Sequence, residues 1–264
     1  MAILESRTKT GLSWVTESVA LFKTAPRKWL LLSLAYVGFF IMLPSIPALQ
    51  ILSFISVLLW PVFLAIALML YRNADMKKEQ NLTEVINNIK PKMAQLIGLG
   101  GACLLYAALV SLLLNSDLQG LATLAQSKGV SESQMTESQM MEFMQKMMPL
   151  ILKLSLLLIP LMMATWFAPM LIAFNNYSLV KAIKSSVAGS IQYMVALGAA
   201  WLVLTAGILA LMLIVGTVAG VITSLIPALG QMMMSFILFG IFLVATAVML
   251  AFQYVSYRDV FRAA

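Results

Sequence analysis

Polar residues in this chain gather into short clusters that separate six long apolar runs, near 28–48, 50–71, 93–114, 148–174, 190–216 and 231–254. A bilayer core of about 30 Å is crossed by roughly 20 helical residues, and backbone groups in lipid must bond within their own segment. Each run therefore predicts a transmembrane helix. Only Leu43-Pro44-Ser45-Ile46-Pro47 joins the first two runs, which leaves room for no more than a tight helical hairpin. Thr223 to Gly230 joins the last two, with Pro227 and Gly230 as breakers. The expected fold is an all-α polytopic membrane protein, one membrane domain over 1–264 with six transmembrane helices arranged as three hairpins.

The polar clusters carry a pattern of their own. Val19-Ala20-Leu21-Phe22-Lys23, Ile86-Asn87-Asn88-Ile89-Lys90 and Val180-Lys181-Ala182-Ile183-Lys184 each place two apolar residues three apart, followed by lysine. Each ends a short amphipathic segment that precedes a hairpin. One face is Leu12, Val15, Val19 and Phe22 in the first; in the second it is Leu82, Val85, Ile86 and Ile89 behind an Asn81-to-Glu84 capping box. In the third, Ser178 is placed to cap a face of Leu179, Ala182, Ile183 and Val187. Such segments are expected to lie along the inner leaflet as interfacial helices, with Lys23, Lys90 and Lys184 toward lipid headgroups. The chain then divides into three repeat units, about 10–72, 81–174 with an outer insert at 115–147, and 176–257. The competing explanation is that any inner loop meeting a membrane is amphipathic and basic.

Placing the charges orients the spans, because Lys and Arg are retained on the cytoplasmic face. With the N-terminus inside, the inner segments hold fourteen basic and six acidic residues, and the outer side only Lys128, Lys146 and Lys153 against four acids. The net charge of +7 thus resolves into +8 inside and −1 outside. Both termini are expected in the cytoplasm. Trp29, Tyr71, Tyr177, Tyr254 and Tyr257 fall at the inner boundary, where aromatic anchors are expected. Residues 1–11 are charged and lack an apolar core with a cleavage site, so they predict no cleaved signal peptide.

The run Leu21-Phe22-Lys23-Thr24-Ala25-Pro26-Arg27-Lys28-Trp29-Leu30-Leu31 and the later Ser178-Leu179-Val180-Lys181-Ala182-Ile183-Lys184-Ser185-Ser186 resemble the hairpin starts of a loose group of bacterial six-span inner-membrane proteins. That group includes the YciC-like proteins and the membrane domain attached to some glycerophosphodiester phosphodiesterases. The resemblance covers most of the chain through degenerate patterns. It implies a bacterial inner-membrane location and a six-span architecture, with no catalytic residues to transfer, and the phosphodiesterase catalytic domain has no counterpart here.

Composition narrows the chemistry further. Apolar residues make up 62% of the chain, against about 45–50% in soluble domains, which excludes a soluble enzyme, a disordered chain and a nucleic-acid module. There is no histidine to act as a base near neutral pH or as a metal ligand. The one cysteine, Cys103, sits in an apolar run and behaves as a small hydrophobe. No carboxylate lies within a predicted span, although coupled transporters usually keep one there. Lys153, a few residues into the fourth run, either snorkels to the outer interface or contacts an anion or headgroup.

Methionines cluster in the outer insert at Met135, Met140, Met141, Met144, Met147 and Met148. Met140, Met144 and Met147 at helical spacing form an apolar packing stripe, with Cu(I) capture by thioethers the minority reading. Gly216 and Gly220 form a GxxxG pair, and Gly98 and Gly101 a second small patch. These four are helix-packing candidates, within the chain or in self-association. Pro61, Pro160 and Pro169 interrupt the second and fourth spans and can kink helices around a cavity.

No cofactor and no metal are expected, and no acid, base and nucleophile set is positioned for catalysis. The leading reading is a non-catalytic inner-membrane protein, a scaffold, assembly or accessory subunit whose partners are membrane lipids and other membrane proteins. The alternative is a transporter or passive conduit for lipid or a poorly charged solute.

Overall fold

The structure, a computed structural model, describes residues 2–49, 51–79, 81–120 and 137–261. Lys128, Glu132 and Met135 of the outer insert, and Arg262, lie outside the described residues. The principal helices of the described fold are α1 (Ala2–Thr24), α2 (Pro26–Ser45), α3 (Leu52–Asp75), α4 (Leu82–Ile89), α5 (Met93–Leu113), α6 (Glu137–Thr165), α7 (Ala168–Asn175), α8 (Leu179–Gln192), α9 (Met194–Leu225) and α10 (Pro227–Phe261). No strand occurs among the described residues. Six stretches are long and apolar enough to cross a membrane: Pro26–Ser45, Leu52–Asp75, Leu82–Leu113, Phe143–Asn175, Met194–Ser224 and Met232–Phe261. This is a multi-pass membrane protein.

The helices are not equally enclosed. Forty-four per cent of the span in α3 and 33% of that in α10 are buried, against 6% in α6 and α9, so α3 and α10 form the centre and α6 and α9 the periphery. α3 packs along α5, and α10 packs along α9, α1 and α2. The tightest packing is at the end where α3, α7 and α10 finish, the end that carries most of the basic residues. Trp14, Trp29, Tyr71, Phe167, Phe252, Tyr254 and Tyr257 are all fully buried there. Trp29 stacks on Tyr71 at 3.9 Å between centroids, and the Tyr71 hydroxyl donates to the Ala247 carbonyl at 2.9 Å. Trp29, Tyr71, Tyr254 and Tyr257 are therefore core residues and not lipid-facing anchors: Trp29 lies against Tyr71 and donates to the Leu21 carbonyl of α1, and Tyr257 packs on Phe174 of α7; Tyr177 remains half-buried.

Prolines shape three sites. Pro44 has no N–H, and the turn before it widens into a π turn, Gly38–Met42, in which the Leu43 N–H reaches the Gly38 carbonyl. The Phe39 carbonyl, freed by that shift, accepts from Ser56 Oγ on α3 at 3.2 Å. Pro61 removes the bond to the Val57 carbonyl inside α3. α5 comes close at that point, where a Cβ on Gly100 would stand 2.5 Å from the Leu58 oxygen and 2.7 Å from the Val57 oxygen. Pro169 opens α7, and the chain breaks between α6 and α7 at Trp166-Phe167. Side chains from two other helices repair that break. Ser186 Oγ accepts from the Phe167 N–H at 3.0 Å and donates to the Met163 carbonyl at 2.7 Å. Gln253 Nε2 donates to the Trp166 carbonyl at 2.7 Å. This is how broken helices persist at membrane depth.

α1 crosses beneath α9 and α10. Its buried face is Gly11, Trp14, Ser18 and Leu21, rotated from the expected stripe; Leu12 is exposed, and Val15, Val19 and Phe22 are half-buried. Gly11 explains the rotation, since a Cβ there would overlap the Ala196 carbonyl oxygen on α9. On α8 the buried Ala182, Ser186, Gly189 and Ser190 lie beside the half-buried Leu179, Ile183 and Val187. On α4 the buried positions are Val85 and Ile89. Asn81 and Ser178 take N-cap positions in extended backbone, but neither makes a side-chain capping bond.

Candidate functional site

Two features stand out, one above the other: a charged clasp at the basic end, and an apolar chamber nearer the middle of the helices. Arg258, in the last turn of α10, is the centre of the clasp. Its guanidinium donates to Asp75 at the end of α3 (2.9 Å), to Glu17 on α1, and to its neighbour Asp259 (3.5 Å). The planar fork of arginine suits several carboxylates at once. Asp75 also accepts from the Tyr254 hydroxyl at 2.8 Å, and Asp259 accepts from the Trp14 indole N–H at 2.7 Å. Tyr257 donates to Asn175 at the end of α7, where Asn176 ends the helix in left-handed backbone at φ 56°. Arg7 reaches the Gln192 carbonyl at the end of α8. The clasp thus fastens α1 across the ends of the central helices.

Above it lies a chamber of about 720 Å³. α9 packs along α1 and α10 but makes no extensive contact with α3 or α6, and the space left between them is the chamber. Its walls are Tyr36 of α2, Trp60 and Leu64 of α3, Met162 and Thr165 of α6, then Trp166, the α9 face from Trp201 to Leu211, and the α10 face from Ile241 to Gln253. Val15 and Val19 of α1 line its basic end. No charged residue lines it. Pockets of about 300–1,000 Å³ with apolar walls and few polar groups are typical small-molecule sites.

The polar groups of the chamber are mostly spent within the protein. Trp60 Nε1 donates to the Tyr36 hydroxyl (3.2 Å), Trp166 Nε1 to Ser256 Oγ (3.3 Å), Thr165 to the Leu161 carbonyl (2.7 Å) and Thr246 to the Phe242 carbonyl (2.8 Å). Trp166 and Trp201 rings stand 5.9 Å apart at the basic side of the chamber.

The residues singled out in the sequence lie elsewhere. Lys23, Lys90 and Lys184 are exposed at the basic end, outside the clasp. Lys153 pairs with Asp117 at 2.8 Å, joining the far ends of the third and fourth spans. Met144 is exposed and Met147 half-buried on α6, with Met140 on the same helix. Among the described residues no group of three Cys, Asp or Glu could hold a metal ion. A Cβ on Gly98, Gly101 or Gly216 would make only ordinary contacts, and one on Gly220 would meet open space. The close crossings use Gly11, Gly100 and Gly189. Cys103 is buried. Sequence reading missed the Arg258 clasp, because its carboxylates come from α1 and α3, far away in the chain. The tryptophans and Gln253 of the chamber were visible only as scattered polar positions within apolar runs. Compared with protein-family models, curated proteins and solved structures, the chain matches none.

Proposed function

We propose that this chain is a non-catalytic bacterial inner-membrane protein, an accessory or scaffold subunit that acts by holding membrane lipid, with both termini in the cytoplasm. The chamber carries this reading: a space of about 720 Å³ among spanning helices, without a charged wall, is suited to hydrocarbon. The spans are taken as three hairpins, with α1, α4 and α8 at the inner leaflet and Lys23, Lys90 and Lys184 directed to headgroups. That placement is supported by the excess of basic residues at the end where these helices lie.

The conduit reading requires the chamber to open toward the cytoplasm. Val15 and Val19 stand at that end, and Arg258 fastens α1 there through Glu17, which favours a holding role over passage. Native mass spectrometry of the purified full-length chain tests the proposal. Bound lipid is expected on the wild type and is expected to be lost on filling the chamber with Leu204→Trp, with helicity unchanged. Lipid flux in proteoliposomes that is blocked by Leu204→Trp would instead establish the conduit.

A further inference from the structure

The chamber has a polar signature that narrows its occupant. Three donors on its wall have no acceptor among the described residues: the Tyr36 hydroxyl, which only accepts from Trp60, the Trp201 indole N–H and the Thr205 hydroxyl. Unspent donors without a single charged neighbour match a ligand that offers neutral acceptors, such as ester carbonyls. They do not match a phosphate or an ammonium group, which would enter uncompensated.

Depth gives a second constraint. Tyr36 lies ten residues into α2 from Pro26, on the order of 15 Å along the helix at about 1.5 Å per residue. The ester carbonyls of a phospholipid stay near its charged headgroup, which is held at the interface. A carbonyl that reaches Tyr36 belongs to a lipid free to leave that interface. α1, held by the clasp, also stands between the chamber and the basic end, where an anionic headgroup would find its counter-charges.

We infer that the chamber binds an uncharged acyl ester lipid of the diacylglycerol type, with one chain along the α9 face at Leu204, Ile208 and Leu211 and an ester carbonyl accepting from Tyr36 or Thr205. This rests on the lipid-holding reading above and adds the class of lipid. Burial of the chain provides the affinity, and the donors select the carbonyl.

The test uses the full-length protein in phosphatidylcholine nanodiscs. Trp60, Trp166 and Trp201 fluorescence is titrated with diacylglycerol or phosphatidylglycerol, each brominated on one chain. Saturable quenching by the diacylglycerol, reversed by its unbrominated form, is expected, with no saturable quenching by the phosphatidylglycerol. The double variant Tyr36→Phe, Thr205→Val keeps the chamber's shape, and in it the apparent affinity is expected to fall roughly three- to tenfold. Equal saturable quenching by both lipids, or an unchanged affinity in the double variant, overturns this inference and leaves lipid holding intact. Absence of saturable quenching by either lipid overturns both.

Discussion

Arg258 and Glu17, 241 positions apart in the chain, form an ion pair that ties the last helix to the first. Asp75 of α3 shares the same guanidinium, so one side chain joins three helices that are also linked at this level by the Tyr254 bond to Asp75 and the Trp14 bond to Asp259. Replacing Arg258 by alanine leaves three carboxylates crowded without a cation. The side chain is 26% exposed, between the surface and buried limits, so a destabilisation of about 2 kcal/mol is expected. Arg258→Lys is expected to recover only part of it, since an ammonium cannot present the fork. Thermal unfolding in detergent measures both. Lys23→Ala, at an exposed position, should leave the melting temperature unchanged.

The second prediction concerns the crossing of α1 and α9. A Cβ at Gly11 overlaps the Ala196 carbonyl, so Gly11→Leu must push the helices apart and is expected to destabilise by about 1–3 kcal/mol. Val15 and Val19 would move with α1, opening the basic end of the chamber. A cysteine placed at Val19 should then react faster with a water-soluble maleimide than it does in the parent. Gly220→Leu meets open space and is expected to be neutral in the same assays. If Gly220→Leu were the damaging change, self-association through the GxxxG pair would be the better explanation.

Hydrophobic run length made the six spans legible, because lipid leaves the backbone few options. Detail failed where a residue's role depends on what covers it. Tyr254 and Tyr257 read as interface anchors from their position at the end of a run, yet both are buried. Nothing local distinguishes an anchor from a core residue once α1 and α7 pack against it. Gly216 and Gly220 fit a packing motif, but the crossings use Gly11 and Gly100, each placed by a partner backbone far away in sequence. The chamber was foreshadowed only by Pro61, Pro160 and Pro169 as possible kinks. Its walls come from five separate spans and α1, which no single stretch of sequence records.

Ser186 offers a sharper test of how the broken fourth span is held. Its hydroxyl is buried and serves both the Phe167 N–H and the Met163 carbonyl, so Ser186→Ala leaves a backbone donor stranded away from water. A loss of about 1–3 kcal/mol is expected. Ser178, which the sequence offered as a cap, makes no side-chain capping bond, and Ser178→Ala is expected to be within about 0.5 kcal/mol of wild type. Unfolding in detergent, followed by near-ultraviolet circular dichroism, separates the two.

Lys153 and Asp117 join the ends of the third and fourth spans on the side away from the clasp. Both are partly exposed, so Lys153→Ala is expected to lower stability by no more than about 1 kcal/mol. The informative experiment is exchange. Lys153→Asp alone places two carboxylates together, and adding Asp117→Lys should restore the loss if the pair is the interaction that matters. Failure of the exchange to recover would point to a headgroup or anion as the partner of Lys153.

Orientation follows from the same separation of charges and can be tested without disturbing the fold. Fourteen of seventeen basic residues fall on the side of the termini in the six-span arrangement, among them those around α1, α4 and α8. Reporter fusions after Ala264 are expected to mark the cytoplasm, and insertions near Gly129 the opposite side. Because the positive-inside bias acts through short loops, moving two lysines is the stronger check. Lys90→Gln with Lys92→Gln weakens retention of only one loop, and the reporters should keep their sides, since the remaining inner segments still hold twelve basic residues. Reversal of one reporter alone in the unmodified chain would put both on the same side, which requires an even number of crossings between them where the six-span arrangement has three.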